Sequence, residues 1–318
     1  MSRPWRLAIL GADSPVGESL LAELAEQDWA PQAILPVSLG EADSAVTWQG
    51  EDWPCQPVDG VDWTAAEALA VALQGPAAQR ALATLPLSEL PLVVIGSGLT
   101  RAGQAPVIEV AEAAAEAIQR VLRALAAGGR IERLSGFIGL PVAALGREGV
   151  EELARQSRAL FALEAIEVHA FPVQIAFNLN PQVGPIGQDG RSAYESALQR
   201  ALSAAFGPGL VTQLTAAWVP TFHGAVADLH GLCQNLQSTD EIRARLRHVP
   251  GLMLMDAALP GAAPTPATDA VDSSEVAVGR LRLDPEGGFS LWLAFDYCRL
   301  QARLLCAGLE KLIEFKPE

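Results

Sequence analysis

Cysteine, histidine and lysine are the side chains that most often attack, shuttle protons or form imines. This sequence uses them sparingly. Four cysteines, Cys55, Cys233, Cys298 and Cys306, are scattered over 318 residues with no C-x-x-C pair. A disulfide framework or a structural zinc site is therefore not expected, and reduced thiols fit best. The two lysines, Lys311 and Lys316, both lie close to the C-terminus. That leaves no Walker A lysine and argues against an imine-forming lysine. Among the histidines, His169 and His248 have no partner at ligand spacing. His230 alternates with Asp228 and Cys233 follows the same run, but two residues do not make a metal site. Cys298 and Cys306, eight apart on one helix face, read as small core residues. Glu151 and Glu152 read as a solvated helix face. No metal is expected.

One spacing does point to a ligand. Gly11-Ala-Asp-Ser-Pro-Val-Gly17 follows an apolar run and opens a helical pattern. That is where backbone N–H groups and a helix N-terminus can meet the pyrophosphate of a dinucleotide. The turn is altered, however. Ser14 stands at the middle glycine position, and Asp13 puts a carboxylate where phosphate oxygens would sit. Two anions about 4 Å apart repel by about 4 kcal/mol at an effective dielectric of about 20. The same residues suit a cap, with Asp13 or Ser14 accepting from the first helical turn. Both readings stand here: a plain strand-to-helix turn, and a weak cofactor contact through Gly11, Asp13, Ser14, Val16 and Gly17.

The elements that would carry these residues follow from hydrophobic spacing. Leu7 to Leu10 and Ala33 to Val37 read as buried strands around a helix from Val16 to Glu26, with Val16, Leu20, Leu21 and Leu24 on one face. Leu69 to Leu73 and Leu92 to Ile95 are further strand candidates, and Ile108 to Ala126 reads as a long helix. Residues 1–130 thus form a doubly wound domain. Beyond Arg130, strands are expected at Arg133–Leu140, Ile166–Phe177, Val211–Val219, Val226–Leu232, Val276–Leu283 and Phe289–Phe295. Helices are expected at Glu148–Phe161 and Ala193–Phe206, and Gly261–Asp272 as an ordered loop. Residues 131–296 make an α+β domain with helices on one sheet face. A helix over 297–315 returns to the first domain. Leu291, Trp292, Leu293 and Phe295 suggest apolar residues on both sheet faces, so the uncovered face is expected to pair in a homodimer.

Half the residues are hydrophobic, and 37 acidic against 22 basic residues give a net charge of −15. Mean hydropathy is +0.23. The chain is globular and two-domain in size. It carries no basic stripe, so neither nucleic acid nor an anionic membrane surface is an expected partner. The apolar stretch before Asp13 is too short for a secretory leader, and no run reaches a membrane span. A cytoplasmic protein is expected.

Several motifs in one order carry a more specific signal. They are Gln174-Ile-Ala-Phe-Asn178, Val219-Pro-Thr-Phe222, Pro264-Thr-Pro-Ala-Thr-Asp-Ala270, Val278-Gly-Arg-Leu-Arg282 and Leu291-Trp-Leu-Ala-Phe-Asp296, with Gly146-Arg-Glu-Gly-Val-Glu-Glu-Leu153 before them. Together they resemble the aspartate-semialdehyde dehydrogenase family over nearly the whole chain, loosely only between about Leu73 and Ala114. The resemblance implies a Rossmann-like domain followed by an α+β dimerisation domain of the glyceraldehyde-3-phosphate-dehydrogenase kind. It also implies NADP-dependent chemistry in amino-acid biosynthesis, with a cysteine nucleophile and a histidine acid/base. Carried over position by position, the nucleophile falls on Ala115 and the base on Ala225. The substrate-binding arginine falls on Trp218 and an active-site glutamine on Leu140. Nicotinamide-contacting residues fall on Gln301 and Leu305. The basic residue for a 2′-phosphate falls on Gly40, flanked by Glu41 and Asp43. The resemblance is therefore closest to a Usg-type paralogue with the scaffold kept and the chemistry lost. Such a protein would bind NADP weakly if at all, and would act alone or beside an active paralogue. The alternative is an oxidoreductase with rearranged residues, in which His223, two positions before Ala225, serves as a displaced base.

Overall fold

The computed structural model describes residues 5–40, 44–85, 90–96, 105–127, 129–234, 236 and 238–314. The chain divides into two compact units, residues 1–112 with 301–318, and residues 113–300. The positions of Glu41 and Asp43 lie outside the described residues.

The first unit begins with β1 (Arg6–Leu10), whose Leu7, Ala8, Ile9 and Leu10 are all fully buried. That is the signature of a parallel strand covered on both faces. Gly11, at φ 79°, makes the sharp exit that a side chain would resist. It leads into α1 (Pro15–Ala25), which starts on a proline and buries Val16, Leu20, Leu21 and Leu24. Next come β2 (Ala33–Ser38), a hairpin of β3 (Ala45–Trp48) and β4 (Glu51–Pro54), β5 (Gln56–Pro57), β6 (Ala68–Val71), α2 (Gly75–Thr84), β7 (Leu92–Ile95) and β8 (Val107–Val110). The Rossmann-like sheet has the order β5-β2-β1-β6-β7-β8, and every pairing in it is parallel. Strand order reverses at β1, so the switch point lies beyond the carboxyl ends of β1 and β6.

The second unit runs through α3 (Ala113–Ala126), β9 (Ile131–Leu140), α4 (Arg147–Ala162), α5 (Ala193–Phe206), β10 (Val211–Trp218), β11 (Gly224–Cys233), α6 (Thr239–Leu246), β12 (Leu252–Leu254), β13 (Val276–Leu283) and β14 (Gly288–Asp296). It also includes the first residues of α7 (Tyr297–Glu314), whose remainder belongs to the first unit. Its mixed sheet has the order β10-β9-β11-β14-β13-β12. Helices α3, α5 and α6 pack on that sheet. Ile138, Ala227, Leu293 and Val278 stand in register across four strands and are fully buried. Among the described residues no helix is long and apolar enough to cross a membrane.

Several expectations are corrected. The apolar spacing over Ile108–Ala126 predicts one helix, but its first residues form β8 and the helix starts at Ala113. Val107 and Ile108 belong to the sheet pattern of the first unit, and their spacing runs on into that of the helix. Helix α3 lies in the second unit rather than before a boundary at residue 130, because it packs on β9, β11, α5 and α6. The sheet face turned away from the helices is not broadly apolar. Ser135, Phe137, Asp228, His230, Ser290 and Arg282 share it, all at least partly exposed. Trp292, on that face, is half-buried and donates its indole N–H to the Pro264 carbonyl at 2.9 Å.

The largest correction concerns Ile166–Phe177, which alternates like a strand but forms none. Its backbone donors are taken by side chains of α4. Glu152, read from sequence as solvated, is 1% exposed. One of its carboxyl oxygens accepts the N–H groups of His169, at 3.0 Å, and Ala170. The other accepts from the Gln156 amide at 2.8 Å. Gln156 in turn accepts from the N–H groups of Ile175 and Ala176 at 2.8 and 3.1 Å and donates to the Glu167 carbonyl. Buried polar groups must be satisfied, and here two side chains of one helix take four backbone N–H groups and one carbonyl of the irregular segment.

Candidate functional site

In the first unit the glycine turn is closed on itself. Ser14 is the N-cap of α1: its hydroxyl oxygen accepts the Gly17 N–H at 3.0 Å. The same hydroxyl donates to the Ala72 carbonyl at 3.1 Å. Ala72 directly follows β6, so the Ser14 side chain spans the switch point itself. Asp13 does not cap the helix. Its carboxylate accepts from the Ser38 hydroxyl at 2.5 Å, and that hydroxyl oxygen accepts the Gly40 N–H at 2.9 Å. Leu73 presses on Gly11 closely enough to exclude a β-carbon there. Val16 and Gly17 are buried in α1. Gln301 is fully buried on α7 and donates to the Ala111 carbonyl at 3.1 Å, while Leu305 is also fully buried.

In the second unit the positions carried over from the resemblance are buried. Ala115 lies in the first turn of α3 and is 2% exposed. Ala225 is fully buried on β11, opposite Phe295 on β14. Leu140 and Trp218 face each other across the ends of β9 and β10. The Trp218 ring packs edge-on against Phe171, with centroids 5.5 Å apart. Leu140, Trp218 and Ala225 thus gather at one end of the sheet, where β9 and β10 finish and β11 begins.

His223 precedes β11 rather than lying in it, so the two-residue strand argument that aimed it with Ala225 does not hold. It is half-buried, and its carbonyl accepts the Tyr297 N–H at 3.0 Å. Its charge is felt by Asp296, which is buried at the end of β14. Burial pushes the Asp296 carboxyl above the usual carboxylate range, against the pull of the backbone N–H groups of Arg299 and Asp272 and of His223.

Cys233 and Cys306 are poor nucleophiles. All four cysteines are buried. Burial raises Cys233 and pushes Cys306 up to about 12, whereas reactive cysteines need a lowered value. Among the described residues no three His, Cys, Asp or Glu side chains stand together as metal ligands. A groove of about 340 Å³ crosses the open sheet face, lined in part by Ser135, His230, Arg282, Asp284 and Ser290. These groups are engaged with one another or with nearby backbone: His230 with Asp228, Arg282 with Ser290, and Asp284 with the N–H groups of Glu286 and Gly288. They do not converge on a common point.

Sequence reasoning missed Glu152 and Gln156. The signal was present: Gly149, Glu152, Leu153 and Gln156 recur at helical spacing on one buried face of α4.

Residues 122–299 match the family model described as semialdehyde dehydrogenase, dimerisation domain. The chain is 30% identical over 335 residues to the USG-1 protein homolog of Azotobacter vinelandii, covering 98% of each chain. It is 25% identical over 327 residues to the aspartate-semialdehyde dehydrogenase of Shewanella violacea, covering 96% of each. A solved structure of a probable aspartate-semialdehyde dehydrogenase from Pseudomonas aeruginosa superposes with a TM-score of 0.84 at 26% identity, covering 98% of this chain and 99% of that one. With the motifs, the two-unit fold and a match over more than half its length, the chain belongs to the semialdehyde dehydrogenase family.

Proposed function

We propose that this chain is a non-catalytic member of its family, of the USG-1 type, acting as a cytoplasmic homodimer in a binding or structural role. The observation that carries the reading is the character of four positions. Ala115, Leu140, Trp218 and Ala225 stand where the resemblance puts nucleophile, glutamine, carboxylate clamp and base, and all four are buried and apolar. Acyl transfer needs a thiolate to hold the carbon, a group to move the proton and a cation for the substrate carboxylate. Methyl, isobutyl and indole side chains supply none of these, and parts that act as one unit fail together.

A weak or absent affinity for NADP belongs to the same reading. The Ser14 hydroxyl spans the switch point, Leu73 covers Gly11, and Asp13 adds a negative charge. These residues fit a dinucleotide poorly. The homodimer is supported by the dimerisation-domain match over residues 122–299.

The test is a steady-state assay with aspartate semialdehyde, phosphate and NADP. No turnover is expected, and about 1 per second, an ordinary enzyme rate, would overturn the reading. A second reading, an NAD(P)-dependent oxidoreductase acting on an aldehyde with rearranged residues, would use His223, whose carbonyl accepts the N–H of Tyr297, next in the chain to the buried Asp296. Turnover abolished by His223→Ala would establish it. A third role, as a structural subunit beside an active paralogue, predicts co-purification of the two chains after co-expression.

A further inference from the structure

The open face of the mixed sheet carries its side chains in rows that the strand register fixes. Gln213, Ser135, His230, Ser290 and Arg282 stand opposite one another across β10, β9, β11, β14 and β13. That row is polar across five strands. The next row holds Arg133, Leu232, Gly288 and Asp284. Gly288 leaves a gap in it, because a β-carbon there would meet the Asp284 carboxylate at 2.1 Å. The gap lies in the groove of about 340 Å³, which has both arginines in its walls.

Arg282 reaches this face only because β13 is bulged. Val278 lies on the helix-covered face, in register with Leu293. Plain alternation would put Arg282, four residues on, on that same buried face. The register instead shifts between Gly279 and Arg282, with Arg280 held at φ 55°. The irregularity turns Arg282 outward, opposite Ser290. Backbone sterics disfavour a positive φ at arginine. The strand adopts it there, and the effect is a guanidinium on the open face.

The Arg282 Nε donates to the Ser290 hydroxyl at 2.7 Å. Its two terminal nitrogens, and the whole Arg133 guanidinium, have no hydrogen-bond or ion-pair partner among the described residues. The carboxylates beside them are engaged, Asp228 with His230 at 3.1 Å and Asp284 with the N–H groups of Glu286 and Gly288. Two unpaired guanidinium groups on a chain of net charge −15 mark a local site for anions, and their fork matches a carboxylate or a phosphate. The two arginines stand three strands and two residues apart, roughly 16 Å between backbones, so they suit two anionic groups rather than one. We propose that this groove binds a small dianion with an oxyanion group at each end, one on Arg133 and the other on Arg282, with His230 and Ser290 between them. Dicarboxylates and diphosphates share that chemistry. The groove lies at the other end of β9 from Leu140 and on the other face of the sheet, so the proposal is independent of the non-catalytic reading.

The test is calorimetric titration of the full chain with succinate, pyrophosphate and acetate at one ionic strength. Succinate or pyrophosphate is expected to bind at least about tenfold more tightly than acetate, and whichever does so identifies the end groups. Arg133→Gln and Arg282→Gln should each weaken that binding by about tenfold. Both side chains are exposed, so the thermal melt should stay where it is. Arg247→Gln, at an exposed position outside the groove, makes the same change in net charge and should leave binding unaltered. Acetate binding as tightly as the dianions, or an equal loss in Arg247→Gln, would reduce the effect to general attraction and overturn the site. So would a wild type that binds neither dianion, the result expected if a second copy closes this face.

Discussion

The glycine turn and the segment after α4 are both irregular stretches pinned by polar side chains, yet they are pinned to opposite ends. In the turn, Ser14 and Asp13 bond to Ala72 and Ser38. Ser14 is turned into the fold there, while Asp13 stays partly exposed. In the segment, the pins lie beneath, on Glu152 and Gln156, and the apolar side chains are turned out. In one region polar chemistry closes a surface inherited with the fold. In the other it presents one.

The comparison is broken most sharply by stability. Glu152→Ala leaves the part-buried N–H groups of His169 and Ala170 without their acceptor and the Gln156 amide with only the Glu167 carbonyl. Unsatisfied buried groups of this kind cost on the order of 1–3 kcal/mol each, so a loss of about 3 kcal/mol is expected. Ser14→Ala removes one cap and should cost about 1 kcal/mol. Urea midpoints at a fixed pH give both values. If Ser14→Ala proves the costlier change, the turn is the better-built region and the contrast is reversed.

The same contrast decides what could be read in the sequence. Most long strands of the two sheets announced themselves by composition, whereas the short β5 and β12 did not and β8 read as the start of a helix. Leu7–Leu10 is a run of buried apolar residues, and Val276–Leu283 matches its strand residue for residue. Alternation over Ile166–Phe177 misled because period 2 records only which side chains are apolar. It does not record where backbone donors go, and here a helix preceding the segment in the chain takes them. Glu152 misled because a glutamate beside another glutamate usually faces water, and its burial depends on donors 17 and 18 residues away. At the glycine turn the Ser14 cap was legible because it is local. The Asp13–Ser38 bond was not, because it joins residues 25 apart.

A smaller effect is expected from reopening the turn. Asp13→Thr with Ser14→Gly removes one negative charge, one β-carbon and the hydroxyl that spans the switch point. Glycine at the cap costs only a few tenths of a kcal/mol. NADP affinity measured by calorimetry should rise by about tenfold, or about 1.4 kcal/mol. A wild-type dissociation constant already near micromolar would show the turn to be open. Weaker binding in the double variant would show that these side chains face a ligand after all.

The smallest expected effect tests whether the interior of the second unit is closed like the turn or poised like a site. Asp296 ends β14, and its oxygens accept the N–H groups of Arg299 at 3.0 Å and Asp272 at 3.1 Å. Burial dominates and raises its pKa, while these N–H groups and the charge of His223 act against it. Between the ordinary carboxylate value and the raised folded one, the folded chain keeps a proton that the unfolded chain has released. Stability therefore falls as pH rises through that window and is level above it. Asp296→Asn does not titrate, so the wild-type stability minus that of the variant should decline from about pH 4 upward, by at most about 1.4 kcal/mol per pH unit for one proton. Urea unfolding at steps from pH 4 to 7 measures the slope. The opposite slope would mean that Asp296 is held ionised in the fold, with its neighbours outweighing burial. If His223→Ala then removed that slope, His223 and Asp296 would be a working acid–base pair, and the rearranged-enzyme reading would displace the non-catalytic one.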